Sequence, residues 1–217
     1  MKKMMTMLLA AVLMLTVAGC GAQGTATSQT DVITDKQPAQ TPDVSAALLD
    51  EAVTYYADIE IADYGTVTVQ LDQSAAPVTA ANFVNLAKNG FYDGLTFHRI
   101  MAGFMMQGGD PKGNGTGGSD TKIKGEFAAN GHENPISHKR GVISMARSRD
   151  FNSASSQFFI MHADGEFLDG QYAAFGIVTE GMDVVDAVCE AAKPTDNNGS
   201  IAKDAQPVIT KITIREE

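Results

Sequence analysis

The chain has 217 residues, 44% of them hydrophobic and 19% charged, which suits one packed domain with accessory segments. Its formal charge of −10 repels phosphate backbones and argues against nucleic acid as a partner. Two cysteines, Cys20 and Cys189, cannot build a disulfide framework, so packing alone must hold the fold. The four histidines lack metal-ligand spacing: His132 and His138 lie in a Gly- and Pro-containing loop with no cysteine or acidic motif beside them. No metal is expected.

Residues 1–19 read as a signal peptide. Lys2 and Lys3 precede an apolar run from Met4 to Ala18, too short to span a membrane comfortably, which takes roughly 20 residues. The run ends in Val17-Ala18-Gly19-Cys20, which resembles a bacterial lipobox. That resemblance implies cleavage before Cys20 and lipidation of its thiol, with acyl chains holding the protein at about 0.8 kcal/mol per buried methylene. The alternative is an ordinary secretory signal with an incidental cysteine. Residues 20–52 are rich in Gln, Thr, Ala and Ser, and read as a tether of about 30 residues with a typical reach near 30 Å. A short helix over 43–53, capped by Asp43 or Ser45, is expected at its end. Lipobox and tether together place the domain outside the cytoplasm, on the outer face of a bacterial cell membrane, with periplasmic anchoring as the other option.

Residues 53–217 form the expected folded domain. Alternation in 57–61 and 66–71 around Asp63-Tyr64-Gly65 predicts a hairpin. Pro77 then opens a helix whose stripe is Val78, Ala81, Phe83, Val84, Leu86 and Ala87, ended by Asn89-Gly90. Apolar runs at 95–101, 141–146, 157–162, 173–178 and 208–214 read as strands. A second helix carries Met182, Val184, Val185, Val188 and Cys189. Cys189 is read as packing, not as a nucleophile, because no cation or helix N-terminus adjoins it. Near eight strands with two helices suits a closed antiparallel barrel, although composition alone leaves a sandwich open.

The chemistry concentrates after residue 96. Alternation along Phe97–Met101 puts Phe97, Arg99 and Met101 on one face and His98 and Ile100 on the other. Large apolar residues and a glycine-rich loop, 113–118, follow directly. The loop lacks the Lys-Ser/Thr ending of a phosphate cradle. A fixed cation beside an exposed apolar pocket is the reading that remains. Taken singly, Phe104, Phe159 and Leu168 could equally be core, and Arg99 an idle surface residue.

Five segments in order, FHRIMAGFMMQGGDPKGNGTGG (97–118), GVISMA (141–146), SSQFFIM (155–161), FLDGQYAAFG (167–176) and EGMDVVDAV (180–188), resemble the cyclophilin family. The resemblance covers the chain from Tyr55 onward. It implies a mainly β fold, a closed eight-stranded antiparallel barrel with two capping helices, and peptidyl-prolyl cis/trans isomerase activity without a cofactor. By position it makes Arg99 catalytic and Phe104, Met105, Phe159 and Leu168 the proline pocket. Gln107, Gln157 and the main chain at Ala146 and Arg147 would contact substrate, with His98 at the border. Phe167 and Tyr172 stand where well-known members often carry Trp and His. Phe lacks the indole N–H donor, so cyclosporin binding is expected to be weak. The implied partners are proline-containing polypeptide clients, met by a monomer that touches the membrane only through its anchor. A non-catalytic proline-peptide chaperone or adaptor is the alternative function. A solute-capturing lipoprotein is disfavoured, since two α/β lobes would be needed.

Overall fold

The computed structural model describes residues 48–217. The signal segment, Cys20 and the tether up to residue 47 lie outside the described residues. Alternating apolar side chains produce β1 (Tyr55–Ile61) and β2 (Gly65–Leu71), paired antiparallel across a turn in which Asp63 is left-handed. The remaining strands are β3 (Thr96–Met101), β4 (Met105–Asp110), β5 (Val142–Met145), β6 (Phe158–Met161), β7 (Ala174–Glu180) and β8 (Ile209–Glu216). They make one antiparallel sheet in the order β3-β4-β6-β5-β7-β2-β1-β8. The sheet curls until its outer strands meet: Thr96 bridges Val208, and the Ile209 N–H donates to the Leu95 carbonyl at 2.7 Å. Closure of this kind leaves little free edge for stray pairing.

Helix α1 (Pro77–Lys88) lies against β7 and β8, and α2 (Met182–Ala191) lies against β2 and β4. Pro77 starts α1 because it needs no N–H partner there. Ala76 at the N-cap offers no side-chain acceptor. The buried Glu126 carboxylate replaces it, accepting from the Val78 N–H, the Thr79 N–H and the Thr79 hydroxyl at 3.0, 2.8 and 2.7 Å. A negative charge at a helix N-terminus is favourable. Cys189 is buried and burial pushes its thiol up to about 12, as a packing role requires.

The expected helix over 43–53 is absent from its described part, residues 48–53. The Asp50 carboxylate accepts from the Ala52 N–H at 3.0 Å, and the Gln73 amide donates to the Asp50 and Val53 carbonyls at 3.0 and 2.8 Å. These bonds take the backbone groups that a helix would use, and a turn results.

Alternation on β4 and β6 sorts side chains to the two faces of the wall. Met106, Phe158 and Ile160 join the main core with residues of both helices. Met105, Phe159 and Met161 belong to a second cluster with Val142 and Ala174. Phe158 sits at the centre of the main core, edge-on to Phe83, Tyr92 and Phe97 at 5.4, 5.6 and 6.0 Å. Against Phe159 of the second cluster lies a polar chain centred on the buried His138. His138 contacts the Asp169 carboxylate through Nδ1 at 2.8 Å and the Ser144 hydroxyl through Nε2 at 3.1 Å, and its ring stacks on Phe159 at 6.1 Å. Burial holds His138 below the usual imidazole range, with Asp169 opposing.

Two stability measurements follow from this packing. Phe158→Ala should cost about 3–5 kcal/mol in denaturant unfolding, because a fully buried ring is lost; a cost under 1 kcal/mol would contradict its central place. An unfolded histidine gains a proton below about pH 6.5 while buried His138 resists doing so, so stability falls as pH drops through that range. Asp169 lies below the usual carboxylate range: burial raises it, but bonds from Ser137 and His138 outweigh that. Its loss therefore belongs to lower pH, near 4 and below. Between about pH 6.5 and 4.5, His138→Gln should show a shallower decline than the parent. Equal slopes would remove His138 from that dependence.

Candidate active site

Strand β3 departs from simple alternation just before Arg99. Phe97 pairs with Gly108 and Arg99 with Gln107, so His98 is an extra residue in the ladder. This bulge shifts the phase. Phe97 turns into the core with Ile100, while Arg99 and Met101 face outward together. The expectation that Phe97 shares the face of Arg99 is therefore corrected. The glycine pair opposite is required by close approaches on two sides, from β3 at Gly108 and from Ser156 at Gly109. A Cβ on Gly108 would lie 2.9 Å from the Thr96 carbonyl, and one on Gly109, at φ +79°, would lie 2.6 Å from that of Ser156.

Outward of the second cluster runs a groove of about 860 Å³. It brings together ten of the expected site residues: His98, Arg99, Phe104, Met105, Gln107, Ala146, Arg147, Phe159, Leu168 and Tyr172. Gln157 lies in an adjoining recess of about 390 Å³, which shares Gln107, Ala146 and Arg147 with the groove. Phe167 does not line the groove. It is 73% exposed, with its ring 5.5 Å from that of Phe104. Leu168 is placed by a 3₁₀ turn, Glu166–Leu168, which Asp169 ties to Ser137 and His138. The Ala146 N–H is already committed to the Gln157 carbonyl at 2.9 Å, leaving its carbonyl as the main-chain acceptor of that residue.

The half-buried Arg99 guanidinium stands on the apolar side chains. Nε donates to the Asn198 carbonyl at 2.7 Å and Nη1 to Gln107 Oε1 at 3.3 Å. Its other hydrogen-bond partners are thioethers, Nη1 to Met105 Sδ at 3.6 Å and Nη2 to Met101 Sδ at 3.1 Å, and it lies 6.0 Å from the Phe104 ring. Sulfur accepts weakly, so those N–H groups can be redirected at little cost. The orientation of Gln107 is itself fixed. Its Nε2 donates to Gln157 Oε1 at 2.9 Å, and Gln157 Nε2 donates to the Gly117 carbonyl at 2.7 Å. A relay of amides thus runs from the glycine-rich loop to the guanidinium. Burial pulls the Arg99 pKa down, opposed by Tyr172 and Asp196, but a guanidinium so placed remains charged at neutral pH.

Arg147 plays a different part from Arg99. Its guanidinium lies 5.0, 4.9 and 4.7 Å from the rings of Phe127, Phe151 and Tyr172, and donates to the Gln171 and Ser148 carbonyls. It acts as a clamp on the groove wall. The wall supplied by residues 198–206, with Asn198, Ser200, Lys203 and Gln206, was not legible in sequence. Nothing in that polar stretch distinguishes it from an ordinary surface loop. It joins the site through an isolated bridge between Arg99 and Ser200 and the bond from the Ile201 N–H to the His98 carbonyl.

The arrangement is that of an apolar patch, Phe104, Met105, Phe159 and Leu168, with the always-charged, donor-only Arg99 guanidinium beside it. Comparison with known proteins agrees with it. A family model described as cyclophilin type peptidyl-prolyl cis-trans isomerase/CLD matches residues 56–215. A peptidyl-prolyl cis-trans isomerase of Helicobacter pylori is 44% identical over 155 residues, 70% of this chain and 90% of that protein. Peptidyl-prolyl cis-trans isomerase B of Bacillus subtilis is 42% identical over 144 residues, 66% and 92% of the two chains. A crystal structure of a cyclophilin type isomerase from Cryptosporidium parvum superposes with a TM-score of 0.66 at 28% identity, covering 76% of this chain and 99% of that one. The same protein in the presence of the dipeptide Ala-Pro gives 0.65 at 29% identity. With its fold, its groove and its sequence in agreement, this chain belongs to the cyclophilin family and is a peptidyl-prolyl cis-trans isomerase.

Proposed function

We propose that Arg99 is the catalytic residue and that the enzyme acts on proline-containing polypeptides outside the cytoplasm, from a lipid anchor at Cys20. The observation that carries the first part is the guanidinium held against Met101 and Met105, with Nη2 bonded to sulfur alone beside the apolar wall. A prolyl bond resists rotation by about 18–20 kcal/mol because resonance stiffens the C–N bond. Twisting returns the lone pair to nitrogen, and a donor aimed there binds the twisted state better than either planar one. Phe104, Met105, Phe159 and Leu168 would hold the pyrrolidine ring while the preceding carbonyl turns. Gln107 and Gln157 would hold the substrate backbone. A preorganised donor in a water-poor site gains strength over one in water. The relative crystallised in the presence of Ala-Pro is consistent with such a substrate.

A charged hydrogen bond contributes about 1.5–3 kcal/mol. Each 1.4 kcal/mol is worth about a factor of ten in rate. Arg99→Ala should therefore lower kcat/KM on an X-Pro peptide by about ten- to a hundredfold. Circular dichroism and thermal unfolding should show the domain still folded. Undiminished turnover by a folded variant would sink the assignment.

The location rests on the sequence Val17-Ala18-Gly19-Cys20 and on the polar tether that follows. In a bacterial host, radiolabelled palmitate should enter the full-length protein and remain with the membrane fraction. The Cys20→Ser variant should take up no label and leave the membrane. An unlabelled, freely soluble parent protein would rule the anchor out.

A further inference from the structure

The groove does not end at the apolar pocket. Its other wall is polar, formed by the loop from Lys112 to Gly115 and the segment from Asn198 to Gln206. Acidic residues outnumber basic ones by 26 to 16 in this chain, yet no carboxylate lines the groove, whereas Arg99, Lys112, Arg147 and Lys203 all do. Composition alone would favour the reverse. Arg147 is occupied by its aromatic clamp. Lys112 and Lys203 make no side-chain hydrogen bond or ion pair among the described residues.

This wall is firmly built. Gln206, almost fully buried, donates through Nε2 to the Gly113 and Ile201 carbonyls at 2.9 and 3.0 Å and accepts from the Thr96 hydroxyl at 2.5 Å. One amide thereby fastens the two loops together. Each loop is wound on a carboxylate of its own. Asp110 accepts from the N–H groups of Lys112, Asn114 and Gly115 at 2.8, 3.0 and 2.6 Å. Asp196 accepts from those of Asn198 and Ser200 at 2.9 and 3.0 Å. Asp110 and Asp196 are thus already engaged by main-chain donors, and Asp204, exposed in the same segment, does not line the groove. His98 also lines the groove at only 5% exposure, and neither ring nitrogen has a hydrogen-bond partner. A neutral imidazole carries one N–H, and leaving a buried donor unpaired costs about 1–3 kcal/mol. Asp110 and Arg99 are the charged groups that face it electrostatically, and they oppose each other.

We propose that this wall is a subsite for an acidic side chain of the substrate, an Asp or Glu within three residues of the proline, taken by Lys112 and Lys203 with the His98 ring as a further donor. The proposal rests on the reading of the Arg99 groove as the X-Pro site. It makes the enzyme selective for acidic proline segments without altering the isomerisation step.

The test uses peptide pairs differing only by Glu or Gln at each of the three positions on either side of the proline, with kcat/KM measured by NMR exchange on the full chain. At one or more positions Glu should be preferred over Gln by about three- to tenfold, and the preference should shrink as salt rises. In a Lys112→Gln, Lys203→Gln double variant the Glu/Gln ratio should fall towards one. Lys112→Glu with Lys203→Glu should favour peptides bearing Lys at that position. Turnover of the Gln peptides with a ratio of one at every position would overturn the subsite and leave the isomerase reading intact. A preference surviving in the double Gln variant would overturn it too. Absence of turnover on every peptide would overturn the isomerase reading and the subsite with it.

Discussion

The barrel is filled, and this constraint decides where the enzyme can work. Phe158, Phe83, Tyr92, Phe97 and Phe175 occupy the interior together with apolar residues of both helices. Among the described residues these side chains pack the interior, and the groove proposed as the site lies on the outer wall instead. Strand alternation supplies the material. Each inward residue of β4 and β6 has an outward neighbour, and the outward set, Met105, Phe159 and Met161, is as apolar as the inward one. A wall buried on both sides needs a cover for its outer face. Phe104, Leu168 and Tyr172 provide it only in part, and the groove is what they leave open.

Arg99 depends on that wall in two ways. The bulge at His98 turns its side chain outward without costing the core Phe97 or Ile100. The Gln107–Gln157–Gly117 relay then fixes one side of the guanidinium, while Asn198 fixes the other. What remains faces thioethers, which hold the group in place yet compete poorly with a better acceptor. Positioning and availability are thus obtained from the same set of contacts. A carboxylate in place of Met101 or Met105 would bind the guanidinium tightly and leave less of it for substrate.

Much of this was legible in the sequence, for physical reasons that differ from element to element. Alternation marks β1 and β2, a short apolar run marks β6, and Pro77 with Asn89-Gly90 marks the ends of α1. These are local signals, and they held. The site residues came from motif order, and ten of them line one groove. The failures are instructive in the same terms. Phe97 lies on the face opposite to the one its alternation predicts, because a bulge shifts a period-two pattern and leaves no mark in the pattern itself. The helix over 43–53 gave way, in its described part, to an Asp50 turn held by Gln73, a residue distant in sequence. The Glu126 cap of α1 and the 198–206 wall are likewise contacts between distant segments. Only a tertiary structure could reveal them.

On the proposed reading, a proline ring lies on the outer apolar wall while Arg99 serves the twisting bond. A crystal structure of the protein with an X-Pro peptide bound tests it most directly. The ring should rest on Phe159 among Phe104, Met105 and Leu168, with an Arg99 N–H moved off sulfur to within about 3 Å of the prolyl nitrogen or the adjoining carbonyl. A ring seated elsewhere, or a guanidinium still on Met101 and Met105 and out of reach of the peptide, would contradict the account.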